Sequence, residues 1–127
     1  MENKALNKVG LIFEKIKPRE VRKKAYKMTS DDIIQAMLDS GLKGRGGAGF
    51  PTGLKWKYTA AEKEPDKYII CNADEGEPGT FKDREILDRV SLKVYGGMAI
   101  AGKAIGAKNG IVYLRGEYRY LLPKLLI

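Results

Sequence analysis

Residues 44–55 read Gly-Arg-Gly-Gly-Ala-Gly-Phe-Pro-Thr-Gly-Leu-Lys, five glycines and two cations in one short span. A stretch so poor in apolar side chains builds no core and is suited to lie against a ligand. Backbone without Cβ atoms can bring its N–H groups up to an anion or an aromatic ring, and Arg45 and Lys55 add positive charge. A second segment, Cys71-Asn-Ala-Asp-Glu-Gly-Glu-Pro-Gly-Thr-Phe-Lys-Asp-Arg84, sets the carboxylates of Asp74, Glu75 and Glu77 around Gly76. Carboxylates at the carboxyl end of a strand can accept hydrogen bonds from sugar hydroxyls and ring N–H groups.

Each segment has a plainer reading, a solvated turn for the first and a surface acidic loop for the second. Phe50, the rigid Pro51 and the large Trp56 so close to the glycines argue against a mere turn. The acids sit between an apolar run and a helix, which argues against a mere acidic surface. Gly44-x-Gly46-x-x-Gly49 matches the dinucleotide fingerprint in letters only, because that pattern needs a strand before it and a helix opening within it. A Walker loop is excluded, since no Gly-Lys-Ser or Gly-Lys-Thr ends the segment. With one cysteine, Cys71, and no histidine, the chain can build no disulfide, zinc site or iron–sulfur centre of its own. Cys71 reads as a small core residue.

A length of 127 residues with 43% hydrophobic composition suits one domain or a piece of one. Lys and Arg number 24 against 16 Asp and Glu, a net charge of +8, which in general terms favours polyanions or acidic surfaces. Nine of the basic residues fall in the first 27 positions, and a solvated helix face or a docking arm accounts for them. Basic and aromatic residues do not interleave as nucleic-acid binding requires. No signal-like or membrane-spanning window is present, and the cytoplasm is the expected compartment.

The elements that must position these residues follow from local signals. Residues 1–27 fit neither a helix nor a strand decisively, with Leu6, Val9, Leu11, Ile12, Phe13 and Ile16 before an interrupting Pro18. Thr29 caps a helix that carries Ile33, Ile34, Met37 and Leu38 on one face and stops at Gly41. The glycine loop spans 43–54, and a short helix follows around Trp56 to Glu62. Tyr68-Ile-Ile-Cys71 is expected to be a buried parallel strand, with 72–80 as the loop at its carboxyl end. Helices are expected at 83–88 and at 92–107, the latter with Gly96, Gly97 and Gly102 for close packing. Asn109-Gly110 should break it before a second strand, Ile111–Leu114. Arg115, Glu117 and Tyr118 lie at the same sheet edge, and a helix starts near Glu117. The alternation predicts an α/β fold with a parallel sheet.

Three runs, 41–56, 72–84 and 113–118 (Tyr-Leu-Arg-Gly-Glu-Tyr), together with Ala104-Ile-Gly-Ala107, resemble the NADH-binding FMN flavoprotein subunit of respiratory complex I and the related diaphorase subunits of NAD-reducing hydrogenases and formate dehydrogenases. The likeness runs from about residue 28 onward. It implies a Rossmann-like flavin-binding sandwich, of which residues 28–127 would be the N-terminal half, behind a basic lead-in at 1–27. It also implies FMN and NAD(H) as cofactors, hydride transfer from NADH to FMN, and electrons passed singly to iron–sulfur clusters in other segments or subunits. By the same resemblance Gly44, Arg45, Gly46 and Lys55 would line the FMN, with Asn72, Asp74 and Glu75 at its ring edge and ribityl chain. Gly47, Phe50, Tyr58 and Glu77 would face NADH. The implied partners are the remainder of the flavoprotein subunit and an iron–sulfur subunit of a hydrogenase, formate dehydrogenase or complex I assembly, with no nucleic acid and no membrane insertion.

The chain departs from that family's pattern. The later Cys-Gly-Glu-Glu flavin motif, the Asn-rich phosphate loop, the ubiquitin-like domain and the four-cysteine cluster domain have no counterpart in these residues. Val90-Ser91-Leu92 stands where Asp-Pro-His is usual, and Gly96 where a Glu is usual. About half a flavin site is therefore expected, with poor FMN binding by the chain alone. The competing expectation is a non-catalytic fragment or assembly partner that keeps the first half of the fold. The residues leave NADH and NADPH equally open.

Overall fold

The computed structural model describes residues 12–126, so Leu6, Val9, Leu11 and the first lysines of the lead-in lie outside the described residues. The element order is α1 (Pro18–Tyr26), α2 (Ser30–Ser40), α3 (Thr52–Ala61), β1 (Tyr68–Ala73), α4 (Lys82–Ile105), β2 (Asn109–Leu114), a 3-10 helix (Gly116–Leu121) and α5 (Leu122–Leu125). β1 and β2 pair in parallel, with Tyr68 opposite Asn109, Ile70 opposite Ile111 and Ala73 opposite Leu114. Parallel strands require a crossover, and α4 supplies it.

Local chemistry explains most boundaries. Thr29 Oγ1 accepts from the N–H of Asp32 at 3.1 Å, and Asp31 and Asp32 complement the positive end of α2. Gly41, at φ 68°, takes the left-handed turn that ends it. Pro18 opens α1 rather than interrupting an element, because proline at the first helical position lacks only an N–H that would be unpaired anyway. The basic residues of α1 are exposed, while Ala25 enters the core beside Ile33, Ile34, Ala104 and Ile105.

Several expectations are corrected. Helix α3 begins at Thr52, immediately after Pro51, so the glycine loop is shorter than 43–54 and Lys55 stands on the helix. The two helices expected at 83–88 and 92–107 stand as expected, running end to end through Lys82–Ile105 (α4) across a kink where Val90 leaves helical geometry at φ −138°. Gly106, at φ 82°, ends it, and Asn109-Gly110 belong to β2 instead of breaking the helix. The segment from Gly116 is a 3-10 helix before it becomes α5.

β1 is not buried on both faces. Tyr68 and Ile70 are 52% and 64% exposed, and Ile111 and Tyr113 on the neighbouring strand are 49% and 60% exposed. With two strands and α4 on one side, only the alternate residues Ile69, Cys71 and Ala73 turn into packing.

The core forms two clusters, both hung on α4. Ala104 and Ile105, at its C-terminal end, meet α1, α2 and Trp56 of α3. Leu87, near its start, meets Ala73, Tyr118, Leu121 and Leu125. Cys71 packs half-buried against the second cluster. Among the described residues no helix is long and apolar enough to cross a membrane.

Close approach of α2 and α3 depends on Gly53. A Cβ there would lie 2.6 Å from the backbone N of Leu38 and 3.0 Å from its Cα, so backbone must shift to admit it. Gly53→Ala is expected to destabilise the fold by about 1 to 3 kcal/mol, the usual scale of overpacking, measured by urea denaturation.

Candidate functional site

The glycine loop leaves α2 and returns to α3 as a closed lobe. Lys43 bridges Pro51, the N–H of Gly44 donates to the Phe50 carbonyl at 2.8 Å, and that of Thr52 donates to Leu42 at 2.9 Å. Inside the lobe Gly47 and Gly49 sit at φ 115° and 64°, conformations that side chains rarely adopt. Arg45 donates to the Lys43 carbonyl at 3.1 Å, which directs its guanidinium along the lobe.

The acidic loop leaves β1 through a turn in which the Asn72 Oδ1 accepts from the N–H of Asp74 at 3.1 Å. Thr80 closes its far side by donating to the Glu77 carbonyl at 2.6 Å. The two loops face one another across an open cleft of about 580 Å³. Arg45, Gly46, Asn72, Asp74, Glu75 and Glu77 line it. Gly44, Gly47, Phe50, Lys55 and Tyr58 do not; Phe50 and Tyr58 are 46% and 57% exposed. Thr80, Lys82 and Asp83 also line the cleft. Sequence reasoning passed over these three, although a Lys-Asp pair opening a helix beside an acidic loop was a usable sign.

Glu75 differs from its neighbours. Its side chain is 2% exposed. The N–H of Asp83, in the first turn of α4, donates to Oε2 at 2.8 Å, and the Tyr118 hydroxyl donates to Oε1 at 2.9 Å. Lys82 Nζ lies 3.7 Å from Oε2, and the Arg115 guanidinium donates to the Glu75 carbonyl. Burial pushes the Glu75 carboxyl up, but the bonds from the Asp83 N–H, the Tyr118 hydroxyl and the Arg84 N–H, with the charge of Lys82, outweigh it. The group is held below the ordinary glutamate value. The hydrogen bond to Glu75 in turn raises the Tyr118 hydroxyl. Burial, with the nearby Asp83 charge, raises the Cys71 thiol, which disfavours a reactive thiolate.

Arg115 also donates through Nε to Glu117 at 2.9 Å, and its own N–H reaches the Ala73 carbonyl at 3.2 Å. The exit of β2 is thereby tied to the start of the acidic loop. The cleft offers one cation on the glycine side, exposed carboxylates at Asp74 and Glu77, and the Asn72 amide. That set suits a ligand with several hydroxyl or N–H donors and an anionic end.

A family model described as the Nuo51 FMN-binding domain matches residues 37–125. The alpha subunit of the NAD-reducing hydrogenase HoxS of Cupriavidus necator is 60% identical over 91 residues, 72% of this chain and 15% of that protein. A subunit of the NADH-quinone oxidoreductase of Rhizobium meliloti is 50% identical over 100 residues, 79% of this chain and 24% of that one. A subunit of the NADH-quinone oxidoreductase of Escherichia coli is 45% identical over 98 residues, 76% of this chain and 22% of that one. The solved structure of an NAD+-reducing NiFe hydrogenase in the air-oxidized state superposes with a TM-score of 0.73 at 56% identity, covering 76% of this chain and 17% of that chain. The chain thus spans no more than about a quarter of the length of these relatives.

A carboxyl held low in the folded state contributes stability above its unfolded pKa, and the contribution disappears as pH falls through its folded value. Glu75→Gln removes charge-assisted bonds and is expected to cost about 2 kcal/mol at neutral pH. The difference from the wild-type chain should close as the pH is lowered below the ordinary glutamate range, followed by denaturant titrations across pH.

Proposed function

The chain belongs to the family of Nuo51 FMN-binding domains, and on that premise we propose that it supplies one wall of an FMN and NADH site in an oxidoreductase of the complex I or NAD-reducing hydrogenase type. The observation that carries this reading is the meeting of Arg45 and Gly46 with Asn72, Asp74 and Glu77 in one cleft, from two loops that both lie inside the matched residues. In the relatives the names speak of NAD-reducing hydrogenase and NADH-quinone oxidoreductase.

The residues fit FMN by their donor set. A cation on the glycine wall suits a phosphate, exposed carboxylates suit the ribityl hydroxyls, and an amide suits the polar edge of the ring. A Cβ at Gly46 would meet nothing within 4 Å, so the lobe leaves open space on the cleft side. FMN, when bound, supplies the two-electron to one-electron chemistry that joins NADH to iron–sulfur clusters held in other segments or subunits. The chain's own residues bind and orient. Gly44, Arg45, Gly46 and Lys55 serve the flavin from the glycine side, and Asn72 and Asp74 from the acidic side. Glu75 braces the loop on which they stand. Gly47, Phe50, Tyr58 and Glu77 serve the dinucleotide, the aromatic rings by stacking. No residue moves a proton, because hydride transfer depends on holding two rings in contact.

Residues 28–127 act as the first part of the flavin domain, with 1–27 as a lead-in. A second reading, an assembly partner that keeps the fold without the chemistry, is favoured by the five expected residues that stay off the cleft: Gly44, Gly47, Phe50, Lys55 and Tyr58. The visible spectrum of the native chain with whatever co-purifies separates the two. Flavin absorption that bleaches on adding NADH is expected, and Arg45→Ala should weaken FMN binding about tenfold or more, the effect of one charge-assisted contact. Material without flavin and indifferent to NADH would establish the assembly reading instead.

A further inference from the structure

In open α/β units the helix after the first strand is the usual seat of a ligand phosphate, since its first N–H groups lack partners within the helix and its dipole favours an anion. α4 occupies that place: it follows β1 across one loop, and its first turn borders the cleft through Lys82 and Asp83. Yet that turn is already engaged. The N–H of Asp83 donates to Glu75 Oε2 at 2.8 Å, and the N-cap residue Phe81 provides no side-chain cap. The second oxygen is held by Tyr118 at 2.9 Å. At 2% side-chain exposure the carboxylate is covered although Glu75 borders the cleft.

We propose that the Glu75 carboxylate is the resident anion of the α4 N-terminus, filling from within the seat that a ligand phosphate takes in ordinary dinucleotide folds. That end of the cleft is therefore closed to the phosphate of a bound nucleotide. Of the two cleft cations, Lys82 is committed to Asp83 at 2.9 Å and lies 3.7 Å from Glu75. Arg45 forms no ion pair among the described residues. Glu75 is then a positioning residue. Its carboxylate is spent on the helix end, and it sets both the stance of the acidic loop and the end of the cleft that is closed to a nucleotide's phosphate. The last point rests on the cleft being a nucleotide site, whereas the occupancy of the helix end does not.

The test follows the backbone amide NMR signals of Asp83 and Arg84 in the full chain during titration with inorganic phosphate, and separately with FMN. In the wild-type chain phosphate should leave both signals in place. In Glu75→Ala it should shift them saturably, and at about ten times its Kd it should raise the Tm by roughly 5 °C. Glu75→Gln, which keeps one neutral oxygen acceptor, should respond less than Glu75→Ala and more than wild type, and it decides the matter if the alanine variant does not fold. Wild-type signals that move with phosphate as far as the variant's, or folded variants that ignore phosphate, would overturn the proposal. FMN should likewise leave the wild-type signals of Asp83 and Arg84 in place while it moves others around the cleft, and a shift of those two ahead of the rest would overturn the closure of the α4 end. If FMN moves no signal in any preparation, the flavin function falls, while the phosphate titrations still judge the role of Glu75.

Discussion

A carboxylate removed from water is stable inside a protein only if its lone pairs are met, and the fold around the cleft is arranged so that those of Glu75 are. The desolvation penalty for such a charge is several kcal/mol even after relaxation. Here it is offset by donors from two different elements, the first turn of α4 and the Tyr118 hydroxyl, with Lys82 nearby. Since neither element can move without leaving the charge short of a partner, loop, helix and the exit of β2 are held in one mutual geometry. Asn72, Asp74 and Glu77 inherit their positions from that constraint, although none of them is itself buried.

The opposite wall of the cleft has a separate foundation. The glycine lobe makes few contacts of its own and is carried by α2 and α3, whose close approach runs through Gly53 and Leu38. Those helices reach the rest of the molecule through the cluster at the C-terminal end of α4, where Ile33 and Ile34 meet Ala104 and Ile105, and through the hydrogen bond from Ser30 Oγ to the Lys103 carbonyl at 2.9 Å. α4 is therefore the common beam: its first turn anchors the acidic wall and its last turns anchor the glycine wall. The bend at Val90 lies between the two anchorages.

Much of this was legible in the residues. The Thr29 cap, the Gly41 stop and the two apolar strands are local signals, and local signals suffice where the partner lies within a turn or two. The gap between the expected helices at 83–88 and 92–107 even anticipated the bend at Val90. Asn109-Gly110 misled because the same dipeptide suits a turn and the open edge of a strand; the helix had already ended at Gly106. The burial of Glu75 was not legible. Asp74, Glu75 and Glu77 are chemically alike and sit in one loop, and the choice of which turns inward is made by Tyr118, 43 residues away in sequence. Family likeness pointed to all three acids as ligand contacts, without marking the one whose side chain is buried.

Charge shows the same separation between what composition displays and what a site contains. The chain has a net charge of +8, yet the residues lining the cleft include four carboxylates, Asp74, Glu75, Glu77 and Asp83, and two cations, Arg45 and Lys82. A polyanion would meet a field of its own sign there, while the excess positive charge is spread over surfaces such as the exposed side of α1. Within the cleft the charges are also segregated, with the acids and the neutralised Lys82 on the α4 side and Arg45 alone on the glycine side. A ligand that matches this polarity needs donors at one end and a compact negative charge at the other. A neutral sugar lacks the second, whereas a flavin nucleotide has both.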